Sequence, residues 1–241
     1  MRIRAIIFDI YKTLIEVGPP PPDAAARWQQ LWRNKLSSEP RLTLEAFSDE
    51  CTRIIAREHA TARAFGIAFP EICWAAVAVE ALPELGRLQV NVLDEFLFAH
   101  AQTQRTLHLA TAAARELQSL ARRETPLGLV SNCQPYTLHE LDGALESVKL
   151  SRAIFQPDLC FLSFQCGFSK PDPHVFRFLS ARLQERGIPV AKALVVGDRL
   201  DNDIEPAHAQ GWQTWHLASV KSTWPTSGDW TALSQFLSAN Q

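Results

Sequence analysis

The sequence predicts an α/β fold: a parallel sheet with helices on both faces, interrupted after its first strand by an all-helical insert. Three observations carry this. Four short apolar runs recur along the 241 residues, helical patterns lie between the later runs, and residues 17–105 show helical periodicity without a strand signal. Strands alternating with helices imply a parallel sheet covered on both faces. In such sheets the chemistry sits beyond the carboxyl ends of the strands.

Taken in order, residues 3–8 are rich in Ile, Ala and Phe and read as a buried strand that runs into Asp9. The run "PPPP" at 19–22 is stiff and extended and cannot enter a helix interior. Beyond it, residues 23–36, 43–65 and 90–104 read as helices, with Asp23 and Thr43 as N-caps. Trp28 and Trp32, four residues apart, are placed to pack in the insert, and Arg57, His59 and Arg63 read as a solvated helix face, or as readers of an anionic substrate if that helix faces the site. A helix over 112–123 sets Ala113, Leu117 and Leu120 on one face and leads to the strand "PLGLVS", 126–131. Residues 172–187 repeat the pattern with Val175, Phe176, Leu179 and Leu183 and stop at Gly187. "ALVVGD" (193–198) and "TWHLA" (214–218) are the last strands, and 220–230 reads as loop.

Composition narrows the function. A formal net charge of −2 argues against nucleic-acid binding, which calls for a basic stripe. No apolar run approaches the ~20 residues of a membrane span. The first residues are too acidic and their apolar stretch too short for a signal peptide. Five cysteines without a close pair read as buried free thiols of a cytoplasmic protein, not as a zinc site. Cys133 has no evident His partner that would make it a nucleophile.

Chemistry-bearing residues gather at predicted strand ends and in the loops beside them. Asp9 and Thr13 follow the first strand, and Ser131 and Asn132 the second. Lys170 lies in "GFSKPDP", and Asp198 and Asp203 lie in "VVGDRLDNDIEPA". In this order and placement the chain resembles the haloacid dehalogenase superfamily, whose members carry an Asp nucleophile, a Ser/Thr, a Lys and a paired-acid loop in succession. The resemblance spans the whole chain. It implies a Rossmann-like hydrolase core over 1–16 and 106–241 and a helical cap over 17–105. It implies Asp9 as covalent nucleophile, with Lys170, Ser131, the Asn132 N–H and Thr13 around the transferring phosphoryl or carboxylate group. It also implies Mg²⁺ held by Asp9, the main-chain carbonyl of Tyr11 and Asp198, with Asp203 beside them.

The residues support that chemistry. A carboxylate becomes an adequate nucleophile when positioned in a water-excluded site, and cationic and hydrogen-bonding groups must converge on the group it attacks. Lys170 precedes Pro171, which reads as the start of the next helix, so its charge would be joined by a positive helix end. Asp198 and Asp203 would crowd Asp9 repulsively without a cation, which favours a Mg²⁺-dependent phosphatase of a small anionic metabolite. Tyr11 stands where phosphatases of the family carry a second Asp as acid–base, and Lys12 stands where Gly is usual. Tyr11 therefore has two readings, a catalytic group or a packing aromatic. Asp-x-Tyr-x-Thr is the pattern of the family's metal-independent 2-haloacid dehalogenases, where a departing halide needs no proton. A catalytically weak, ligand- or partner-binding protein, monomer or homodimer, is the third reading.

Overall fold

The computed structural model describes residues 2–218, 220 and 222–240. Strand β1 (Ala5–Phe8) enters the sheet, and after a turn the chain forms β2 (Ile15–Gly18). Four helices follow: α1 (Ala24–Leu36), α2 (Leu44–Ala64), α3 (Trp74–Ala81) and α4 (Val90–Gln104). β3 (Thr106–Leu109) returns antiparallel to β2, with Gly18 opposite Thr106. The chain continues through α5 (Thr111–Arg122), β4 (Leu127–Ser131), α6 (Tyr136–Glu146), β5 (Phe155–Leu162), α7 (Ser163–Cys166) and α8 (Pro173–Glu185). It ends with β6 (Ala193–Gly197), α9 (Glu205–Ala209), β7 (Gln213–Leu217), β8 (Ser227–Gly228) and α10 (Trp230–Ala239).

Six parallel strands form the sheet in the order β5-β4-β1-β6-β7-β8. The central strand explains why both faces must be covered. Ile6 and Phe8 of β1 join Leu194 and Val196 of β6 in a core beneath α5 and α10. Ala5 and Ile7 join Ala193 and Val195 in a second core with α8. Side chains alternate across a strand, so one apolar run feeds two cores. The four insert helices close on a third core around Trp28, Trp32, Phe47 and Phe96, all at most 1% exposed. No helix among the described residues is long and apolar enough to cross a membrane.

Several expectations change. The reading without strands in 17–105 misses β2, which continues to Gly18. β5 carries Pro157 and Asp158 mid-strand, which suits an edge position and hides it from an apolar-run reading. β8 and the start of α10 fall in the tail read as loop, within which Lys221 lies outside the described residues. Thr43 caps α2 by accepting from the Ala46 N–H, whereas the Asp23 carboxylate accepts from Arg27 instead of capping α1. α8 begins at Pro173 with Asp172 as its N-cap, so Lys170 is not in its first turn. All five thiols are free, but Cys73 and Cys166 are exposed, not buried.

Candidate active site

β1 delivers Asp9 to the carboxyl edge of the sheet, where its N–H donates to the Val196 carbonyl at 2.9 Å. Lys170 meets it there, only 4% exposed. Its Nζ donates to Asp9 Oδ1 at 2.7 Å, to Asp203 Oδ1 at 2.5 Å and to the Val130 carbonyl at 2.8 Å. An ammonium has three protons, and each has an acceptor. Asn132 holds the lysine's main chain from both sides. Its Nδ2 donates to the Lys170 carbonyl at 2.9 Å and its Oδ1 accepts the Lys170 N–H at 2.8 Å. The sequence had suggested only the Asn132 N–H as useful; the side chain acts as a peptide mimic that places Lys170.

The acidic loop closes the other side. Asp203 Oδ2 accepts the Arg199 N–H at 3.0 Å, so each of its oxygens accepts one hydrogen bond. It sits where a π-helical turn, Leu200–Ile204, widens the chain after β6. Gly197 makes room for it, since a Cβ there would lie 2.5 Å from the Asp203 carboxylate. Asp9, Asp198 and Asp203 each bring one oxygen within 4.8 Å of the others. Burial, aided by Asp203 and Asp198, pushes Asp9 up to about 6 although Lys170 pulls the other way. Burial and Asp203 also raise Asp198. For Lys170 burial acts downward, but the two carboxylates outweigh it and hold the ammonium protonated. Three carboxylates against the Lys170 ammonium, with Lys12 acting on Asp198 alone, fit a further cation. Thr13 Oγ1 and Ser131 Oγ are buried without a hydrogen-bond partner, as hydroxyls waiting for a ligand oxygen would be. His216 was not foreseen: its Nε2 lies 2.9 Å from the Asp198 carbonyl, tying β7 to the acidic loop.

A family model of haloacid dehalogenase-like hydrolases matches residues 3–211. The chain belongs to this family. Solved structures of similar fold include a 2-haloacid dehalogenase from Pseudomonas syringae pv. Tomato DC3000, 18% identical over 98% of this chain and 99% of that one, TM-score 0.61. The HAD-hydrolase YfnB from Bacillus subtilis, bound to magnesium, is 19% identical over 98% and 99%, TM-score 0.55. The enzyme BT-2542 from Bacteroides thetaiotaomicron, in complex with magnesium and inorganic phosphate, is 16% identical over 92% and 97%, TM-score 0.55. No curated protein matches the sequence.

Within this haloacid dehalogenase-like chain, Tyr11 is the unusual residue. Its hydroxyl lies against the Glu140 carboxylate, 2.8 Å from Thr137 Oγ1, and accepts from Arg105 Nη2 at 2.8 Å. The Arg105 guanidinium also stacks 4.5 Å from the centre of the Tyr11 ring and donates to Glu140 at 2.9 Å. Burial, with Glu140 beside it, drives the phenol far above its ordinary pKa. The hydroxyl is thus occupied in a network that joins the turn after β1 to the end of α4 and to α6. Lys12 takes a left-handed φ of 59°, which accounts for Gly being usual there. The remaining candidates stay outside the site's chemistry. Arg57 pairs with Glu80 on the insert surface, and burial pushes the Cys133 thiol up to about 12.

Proposed function

We propose that this hydrolase moves a phosphoryl group from a small phosphorylated metabolite to Asp9 and then to water, with Mg²⁺ as cofactor. The observation that carries the reading is the trio Asp9, Asp198 and Asp203, of which Lys170 pairs with the first and third while Lys12 lies near the second. Like charges this close ionise together only when more positive charge joins them. The residues that would hold the ion are Asp9, Asp198 and the main-chain carbonyl of Tyr11, with Asp203 beside them, because a carboxylate oxygen that accepts one hydrogen bond keeps a second lone pair. When bound, the ion supplies positive charge to the phosphoryl oxygens.

The protein's own groups do the rest. Lys170 holds Asp9 Oδ1, leaving its second oxygen to attack phosphorus. Ser131 and Thr13 offer hydroxyls, and Asn132 its N–H, to the non-bridging oxygens. As the Asp9–phosphorus bond forms, the bond to the leaving oxygen breaks, and water later cleaves the acyl-phosphate. Tyr11 does not supply the leaving group's proton, because its hydroxyl serves Glu140; that proton comes from solvent water, and the later hydrolysis releases inorganic phosphate and returns the Asp9 carboxylate. The helical insert, 17–105, acts as the cap over a core of 1–16 and 106–241 and reads the rest of the substrate.

The engaged Tyr11 hydroxyl equally favours metal-independent 2-haloacid hydrolysis, in which halide departs unprotonated. One assay separates the two. Hydrolysis of p-nitrophenyl phosphate that EDTA abolishes and Asp9→Asn removes is the expected result. Chloride release from 2-chloropropionate in EDTA, without phosphatase activity, would establish the second reading instead.

A further inference from the structure

The loop between α2 and α3 leaves the insert and docks on the core beside the site. Phe69 accepts the Ser169 N–H at 2.9 Å, Pro70 bridges Phe168, and the Glu71 N–H donates to the Gly167 carbonyl at 3.0 Å. These contacts hold the chain just before Lys170. Glu71 then reaches the second catalytic loop. One of its oxygens accepts the Ser163 hydroxyl, and the other accepts Gln134 Nε2 at 2.9 Å. Ser163 Oγ in turn accepts the Cys133 N–H at 2.8 Å. Gln134 completes the clamp, donating to the Ile72 carbonyl at 3.2 Å and accepting the Trp74 N–H at 3.2 Å.

We infer that Glu71 is a positioning residue: through Ser163 and Gln134 it sets the conformation of the loop carrying Ser131 and Asn132, and so completes the site only while the insert is docked. The chemistry makes the direction of the relay plain. A serine hydroxyl has one proton, and the Ser163 oxygen lies 3.3 Å from the Cys133 carbonyl as well as near Glu71. The carboxylate is the stronger acceptor. With the proton given to Glu71, the Ser163 oxygen is free to accept from Cys133, and that N–H is withdrawn from any substrate. Without Glu71 the hydroxyl turns to the Cys133 carbonyl and the loop loses its tether. Asn132 is the residue before Cys133, and its side chain grips the Lys170 backbone, so a shift there moves both Ser131 and Lys170.

The test compares Glu71→Ala, Glu71→Gln and Ser163→Ala in the full chain. Its kinetic arm rests on the Asp9 reading and uses whichever reaction, phosphate or chloride release, the unaltered protein performs. Glu71→Ala is expected to lower kcat about tenfold or more with KM within about threefold, the mark of an interaction that matters in the transition state. Adding Ser163→Ala to it costs nothing further, because the two act in one chain. Glu71→Gln keeps the shape but has one acceptor oxygen for three donors, Ser163, Gln134 and the Ile72 N–H, so it falls between. A second arm needs no turnover: amide hydrogen exchange over 131–137 accelerates about tenfold or more in Glu71→Ala, while exchange over 193–197 stays unchanged. Unchanged exchange over 131–137, or kcat losses that multiply in the double variant, would overturn the proposal. Absence of both phosphate and chloride release would count against the Asp9 chemistry alone and leave the exchange result to decide on Glu71.

Discussion

Tyr11 shows how far a single side chain can depart from its expected office. Its hydroxyl is one of three donors onto the buried Glu140 carboxylate, with Arg105 and Gln102. Tyr11→Phe therefore leaves a buried acceptor short of a proton, a loss of about 1–3 kcal/mol. Thermal denaturation is expected to record that loss. Removal of a general acid–base would instead cost roughly 10²–10⁴ in rate, and Tyr11→Phe is expected to change kcat by less than about tenfold. A drop into that larger range, with a flattened pH profile, would return the hydroxyl to the chemistry. None of this was readable in the sequence, because Arg105 and Glu140 lie 94 and 129 residues from Tyr11. Asp9 was readable, since a carboxylate ending an apolar run needs only local pattern to be seen.

At the scale of elements, the strands with dense apolar runs, β1, β4, β6 and β7, were readable, and those at edges were not. β5 contains a proline and an aspartate that suit an edge position, and β2 and β3 are four-residue strands of alternating apolar and polar residues that pair with each other outside the main sheet. The helices followed the same logic: α1 and α2 announce themselves by buried tryptophans, phenylalanine and isoleucine at helical spacing. β6 also sets a sharp local requirement. Its last residue, Gly197, lets Asp203 approach to a distance no Cβ permits. Gly197→Ala must push Asp203 away, and with it the acceptor that helps hold Lys170. We expect loss of turnover of about tenfold or more with the far-ultraviolet circular dichroism unchanged. Full activity in that variant would mean that Asp203 can shift without consequence for Lys170.

For the whole molecule, the site is a concentration of buried charge that the fold sustains at a cost. Asp9 is raised from the ordinary 3.8 to about 6, so the folded chain binds its proton more tightly than the unfolded chain. The sign follows: this group's contribution to stability falls as pH rises from about 4 to about 6. A cation that neutralises the trio reverses the loss only where the carboxylates are ionised. Millimolar Mg²⁺ is accordingly expected to raise Tm at pH 7.5 and to have no effect at pH 4.5. Equal shifts at both pH values would point to a nonspecific salt effect. Asp9→Asn, which removes the buried charge, is expected to match or exceed the unaltered protein in metal-free Tm at pH 7.5 while losing turnover.

The β2–β3 ribbon carries a consequence for descent. Gly18 faces Thr106, and the Thr106 N–H donates to the Pro19 carbonyl at 3.1 Å, so the chain leaves for the helical insert and returns from it through neighbouring residues. A segment whose two ends touch can be lengthened, shortened or exchanged without asking anything of the sheet. The ribbon is thus a grafting point. Evolution can trade one helical insert for another there without disturbing the strands, provided the new insert also supplies the contact that Glu71 makes with the core.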